Sequence, residues 1–364
     1  MFSKKIVYRL LYSVFILLLV FLIYEIILRV INNDPPEWIA LEEYNIVRNI
    51  KFSFKSNHSY TPNPIDITYE RNNFGLRDNC LNPASIDILT IGGSTTDQKF
   101  VKFEKTYQFI LQNLISNYIK KDICISNAGV DGHSTHGHIF SLKNWFPLID
   151  GLNPKIYILY IGINDADFNF AIEPILGFDK NKKDLKFYLK KSFVIKKLLP
   201  LYRVLKNLIN PNINIYQLNV YKTFSDNDFT VSKLSNETKD KSKKNAFAFK
   251  NRLKIIIETI KSRNSIPICV SQPHQYIKYV NGQKMGMPKV LGGKLSGLDF
   301  DFSLIEINKA MKEICGQFFI DLYSEKFSDK FFYDGVHTNN EGSDHIGNLL
   351  FHKMNEKNLL IYLK

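Results

Sequence analysis

From residue 86 onward the chain alternates two patterns. Short runs apolar at nearly every position are followed by longer stretches with apolar residues three and four apart. "IDILTIG" (86–92), "ICISNAG" (123–129), "KIYILYIG" (155–162), "IPICVSQP" (266–273) and "QFFIDLY" (317–323) belong to the first kind and predict strands. "TYQFILQNLISNYI" (106–119), "THGHIFSLKNWFPLI" (135–149), "FSLIEINKAMKEIC" (302–315) and "NNEGSDHIGNLLFHKMNE" (339–356) have helical spacing. Continuously hydrophobic strands alternating with helices predict a mostly parallel sheet covered on both faces. The expected fold class is α/β, a three-layer α/β/α sandwich. No internal repeat is visible.

Two stretches break this rhythm. Residues 39–85 are mixed and end in the turn-rich "NNFGLRDNCLNP". Residues ~170–262 read as an insertion over the carboxyl edge of the sheet. Within it, "KNKKDLKFYLKKSFVIKKLLPLYRVLKNL" suggests a basic amphipathic helix and "KTFSDNDFTVSKLSNETKDKSKKN" a polar, mobile loop. "AFKNRLKIIIETIKSR" then returns as a helix feeding the fourth strand. "KYVNGQKMGMPKVLGGKLSG" (278–297) is expected as a second long loop on the same edge.

The N-terminus has a third pattern. Residues 6–31 are almost wholly apolar, long enough for a bilayer crossing of ~20 residues. Lys4, Lys5 and Arg9 at its start favour a cytoplasmic N-terminus. No small-x-small cleavage site follows, so the segment reads as an uncleaved signal anchor, with "NNDPPEW" (32–38) as the linker leaving it. The division expected is therefore 1–34, anchor and linker, and 35–364, one extracytoplasmic domain at the periplasmic or cell surface.

Charge and cysteine content refine this. The formal net charge of +13 is concentrated: residues 179–263 hold 21 Lys/Arg against 7 Asp/Glu, and the remainder is close to neutral. That segment is a candidate contact for anionic lipid or glycan; no recognisable nucleic-acid module appears. The four cysteines lack metal-type spacing; Cys124 and Cys269 read as small core residues of strands, and a disulfide outside the cytoplasm stays open, with no particular pair indicated.

In an open α/β sheet, ligands bind beyond the carboxyl ends of the strands. The residues following them here are "GGSTT", "NAGVDGHST", "GINDAD" and, before the last helix, "FFYDGVHTNNEG". A serine at such a turn is a candidate nucleophile, and an Asp-x-x-His turn can present an imidazole base oriented by a carboxylate. His133, His136 and His138 in "HSTHGH" form a possible zinc cluster, but no matched carboxylate or thiolate accompanies them. They are read as substrate-edge or solvent-exposed, and no metal or cofactor is expected.

These blocks, in this order over roughly residues 86–352, resemble the SGNH (GDSL-like) hydrolases. Ser94 in "GGSTT" matches the nucleophile block, Gly132 in "GVDGHST" the glycine block, Asn164 in "GIND" the asparagine block, and Asp334 and His337 in "DGVH" the D-x-x-H block. The usual Gly-Asp-Ser-Leu is here Gly-Gly-Ser-Thr, similar to membrane-anchored glycan-modifying members. The resemblance implies a flavodoxin-like sheet and a catalytic triad of Ser94, His337 and Asp334. It implies an oxyanion hole from the Ser94 and Gly132 N–H groups and the Asn164 amide. Gly93, Thr95, Asp165 and His274 are assigned to the substrate side. The function expected is a membrane-anchored serine esterase removing a small acyl group, such as O-acetyl, from a cell-surface glycan. Alternatives are an O-acyltransferase using the same triad and a non-catalytic glycan-binding component of polysaccharide assembly.

Overall fold

A computed structural model of the chain describes residues 4–31, 36–56, 65–167, 215–216, 224–231, 234, 236–290 and 295–364, with 192, 194, 195 and 198. The chain divides into two compact units, Met1–Ile39 with Phe178–Asn214, and Ala40–Gly177 with Ile215–Lys364. The basic helix expected within 180–208 falls largely outside the described residues.

In the first unit, helix α1 (Lys4–Ile31) carries an apolar window, Leu11–Leu28, long and apolar enough to cross a membrane. Its side chains are exposed along most of its length. Near its end, the Glu25 carboxylate accepts hydrogen bonds from Ser192 Oγ (2.8 Å) and Val194 N (3.0 Å). A short helix, α2 (Pro36–Leu41), follows.

The second unit opens with a hairpin that the sequence did not announce. Strands β1 (Ile50–Ser56) and β2 (Ile65–Arg71) pair antiparallel, and the short β6 (Ile215–Tyr216) adds parallel to β1. Phe54, Ile67 and Tyr69 are buried together on one face, following the period-two alternation of a half-buried sheet.

The central sheet comprises β3 (Ile88–Gly92), β4 (Ile125–Asn127), β5 (Ile156–Tyr160), β7 (Ile266–Val270) and β10 (Phe319–Ile320). All pair parallel in the order β10-β7-β5-β3-β4. Numbered by their sequence order within this sheet, the strands run 2-1-3-4-5, the flavodoxin-like arrangement. Connections leave in opposite directions from β3 and β5, so a crevice opens at their carboxyl ends.

Helices cover both faces. After α3 (Ser94–Asp97) come α4 (Tyr107–Ile119), α5 (Thr135–Phe140), α6 (Ile163–Ala166), α7 (Asn236–Lys261), α8 (Gly297–Cys315) and α9 (Asn340–Glu356). Tyr107, Leu111 and Ile115 of α4 and Ile346, Leu350 and Met354 of α9 pack on Ile88, Ile156, Ile158, Ile268 and Ile320. Each such burial contributes on the order of 1.5–3 kcal/mol. Intervening strand residues, such as Leu89, Leu159 and Cys269, face the other side, where α7 and α8 pack against each other and against β7.

Two expectations are corrected here, and the open question of cysteine pairing is answered. Helix α7 begins twelve residues before the expected start at 248, because Ser242, Asn245 and Ala246 extend its buried stripe backwards through the polar stretch. Residues 277–286 form a hairpin, β8 (Ile277–Val280) with β9 (Gln283–Gly286), and not a loop. All four cysteines are paired, Cys80 with Cys124 and Cys269 with Cys315.

Candidate active site

The strand β3 ends in Gly92, and Gly93 turns the chain into the single helical turn of α3. Ser94 is therefore presented at the carboxyl edge of the sheet, beside the crevice. That turn is held from below. Arg71, at the end of β2, donates from Nη2 to Asp97 Oδ1 (2.5 Å) and to the Gly129 carbonyl, and Tyr69 OH donates to the same Asp97 oxygen (2.7 Å). Arg77 donates to the Asp97, Gln98 and Val101 carbonyls. Arg71, Asp97 and Arg77 are all buried.

Asp334 and His337 come from a turn bridged antiparallel by Phe332 and Thr338. The Asp334 Oδ1 accepts from the backbone N–H of Val336 (2.8 Å) and His337 (2.7 Å), which sets the carboxylate inside the turn. Its Oδ2 lies 2.6 Å from His337 Nδ1, and His337 Nε2 lies 2.7 Å from Ser94 Oγ. With a carboxylate accepting at Nδ1, the proton resides there and Nε2 turns its lone pair to the serine hydroxyl. Tyr333 stacks on the imidazole at 5.5 Å between ring centroids.

Burial opposes charging His337, but the Asp334 carboxylate outweighs it, and the imidazole is raised above its ordinary range. Burial likewise pushes the Asp334 carboxyl up, and the imidazole and the two backbone donors bring it below the ordinary range. Hydroxyl, imidazole and carboxylate thus form one hydrogen-bonded line.

The Asn164 side chain reaches the same place from the first turn of α6. Its Nδ2 donates to the His133 carbonyl (2.9 Å). A Cβ on Gly93 would sit 2.6 Å from this nitrogen, so only glycine at 93 lets the amide approach the serine turn. An amide nitrogen carries two hydrogens, and the second is free to serve another acceptor. Gly132 adopts φ +76°, a left-handed backbone that glycine accommodates without strain.

Other residues expected on the substrate side do structural work. Asp165 is wholly buried; it accepts from Thr135 N and Oγ1 and pairs with Arg252 (3.3 Å). Thr95 is buried and accepts from Gln272 Nε2 (2.6 Å). His274 is sealed in, with Nε2 donating to Asp301 (3.0 Å) and Nδ1 accepting from Tyr276 N. His133 and His138 are buried, not at a substrate edge. Burial lowers His133 to about 4, leaving it neutral, and its Nε2–H donates to the Tyr44 carbonyl. Among the described residues no group of histidine, cysteine and carboxylate side chains is arranged to hold a metal ion.

Reading only the residues after each strand missed Arg71 and Asp97, which announce themselves by no motif. Gln272 was also missed, because the expected strand 266–273 included it; β7 ends at Val270, which leaves Gln272 two residues beyond the strand, on the carboxyl edge.

No family model matches the chain, and no curated protein matches it. Among solved structures it is similar to an acetyl xylan esterase at 13 % identity and a TM-score of 0.38, covering 73 % of this chain and 98 % of that one. It is similar to a lipase from a goat rumen metagenome at 10 % identity and a TM-score of 0.43, covering 74 % and 97 %. A member of the lipolytic G-D-S-L family from Veillonella parvula shows 16 % identity and a TM-score of 0.39, covering 75 % and 97 %.

Proposed function

We propose that the chain is a serine esterase of the SGNH type acting through a Ser94 acyl-enzyme. The observation that carries this reading is the line Asp334–His337–Ser94, with contacts of 2.6 and 2.7 Å at the sheet's carboxyl edge. His337 Nε2 takes the hydroxyl proton as Ser94 Oγ bonds to the ester carbonyl carbon. Asp334 keeps the imidazole in its productive tautomer and stabilises the imidazolium. The carbonyl oxygen becomes an oxyanion facing the Ser94 and Gly132 N–H groups and the second Asn164 N–H. Each such donor contributes about 3–4 kcal/mol in the transition state. His337 then returns the proton to the leaving alcohol, and a water deprotonated by the same base releases the acid.

The substrate best supported is a small acyl ester, such as O-acetyl, on a cell-surface glycan. Two features support it: the glycine-glycine-serine-threonine form of the nucleophile block and the apolar helix α1. In this reading α1 anchors the chain with its N-terminus cytoplasmic and the catalytic unit outside. Two disulfides in that unit suit an oxidising compartment. The basic stretch 179–263 would then meet anionic headgroups or acidic glycan.

The test uses the full chain in detergent or nanodiscs with p-nitrophenyl acetate and a serine-reactive phosphonate. Hydrolysis and covalent labelling are expected for the wild type, and both should vanish in Ser94→Ala. Glycan binding without labelling at Ser94 would instead support a binding component.

A further inference from the structure

We propose that Gln272 is a positioning residue that sets the distance between the Ser94 turn and the Asn164 turn; this rests on the esterase reading above. Gln272 follows β7 and is 1 % exposed. Its Nε2 donates to Thr95 Oγ1 (2.6 Å) and to the Tyr160 carbonyl (3.2 Å), and its Oε1 accepts from Ile163 N (3.0 Å). Thr95 is the residue after the nucleophile, and Ile163 is the residue before Asn164. Tyr160 is the last residue of β5, from which the Asn164 turn departs.

One side chain therefore ties both turns to the same strand end. The regular pairing of β3 with β5 stops at Gly92 and Tyr160, before either turn begins. Beyond that point Gln272 supplies a lateral link between the Ser94 and Asn164 turns, and an oxyanion hole whose donors come from separate turns needs them held to about 0.5 Å. The residues next to Gln272 reach the other part of the site. Gln275 N donates to the Gly335 carbonyl (2.7 Å), inside the turn carrying Asp334 and His337. The Tyr276 ring lies so close to Gly335 that a Cβ there would be 1.8 Å from its Cε1. His274, locked to Asp301, holds this segment in place. The stretch 271–276 is thus a bracket touching the nucleophile, asparagine and base turns at once, with Gln272 near its start.

The test compares full-length wild type, Gln272→Glu and Thr95→Val on p-nitrophenyl acetate, with Ser94→Ala as control and melting temperature recorded for each. A carboxylate at 272 still accepts from Ile163 N but has no hydrogen for the Tyr160 carbonyl. Gln272→Glu is expected to lower kcat about 10²-fold, the scale of one misplaced oxyanion donor, with KM changed less than about threefold. Protonation restores the donor, so its rate relative to wild type should rise at least about fivefold from pH 8 to pH 5.5. Thr95→Val removes one bond without a buried charge, and should lower kcat about tenfold at an unchanged melting temperature. An active wild type with Thr95→Val at wild-type kcat overturns the inference. So does a Gln272→Glu that folds and keeps a pH-independent ratio, or loses only in KM. A wild type that neither hydrolyses ester nor takes the phosphonate overturns the esterase reading and this inference together.

Discussion

Burial alone would hold the His337 imidazole below its ordinary 6.5; the Asp334 carboxylate, with Asp131 and Asp97 beyond it, reverses the sign. A base must be neutral to accept the serine proton. The kcat/KM profile should therefore rise with pH along an acid limb centred above 6.5. The sign for stability is opposite. A raised histidine pKa stabilises the fold fully below the unfolded value, and that contribution fades as pH climbs through the folded value. Asp334→Asn removes the charge but keeps the shape. It should lower kcat/KM by about 10³–10⁴ and move the acid limb below its wild-type midpoint. A pH–rate series on the variant checks both, and an unmoved limb would show that Asp334 does not set the base.

Among the elements, the hairpin β1–β2 has the least obvious task. It delivers Arg71, whose guanidinium is raised above its ordinary range despite burial, through its pairing with Asp97 and Tyr69. Removing one member of a buried pair leaves the other charge uncompensated, at a cost of about 3–5 kcal/mol. Arg71→Met should lower the urea midpoint correspondingly, and Arg71→Met with Asp97→Asn should recover part of the loss. Full additivity of the two would argue against their coupling. These elements were unequally legible. β5 and α9 were visible because full burial and a continuous apolar stripe write themselves into the order of residues. Helix α7 was seen only from 248, since its first turns bury serine, asparagine and alanine beside many lysines. The β8–β9 turn carried Asn281-Gly282, both left-handed at φ +50° and +78°, a strong hairpin signal that the surrounding mixed residues obscured. The site was legible as letters at 94, 164, 334 and 337. Which neighbours face the crevice was not, because burial of Asp165, Thr95 and His274 depends on partners at 252, 272 and 301.

At the scale of the whole molecule, the two cross-links join distant parts of the catalytic unit. Cys269–Cys315 ties β7 to the end of α8, two residues before Ser271, whose hydroxyl accepts from Leu322 N and Tyr323 N beyond β10. The paired change Cys269→Ala with Cys315→Ala should destabilise the fold by about 2–5 kcal/mol. Urea unfolding with matched activity decay measures this, and equal midpoints for variant and wild type would refute it.

Arg71 has a consequence for where the catalytic unit starts. A polypeptide trimmed to begin at residue 86 would retain serine, histidine and aspartate intact, yet leave Asp97 as an orphaned anion beneath them. The minimal self-sufficient enzyme is therefore larger than the stretch its recognisable letters occupy.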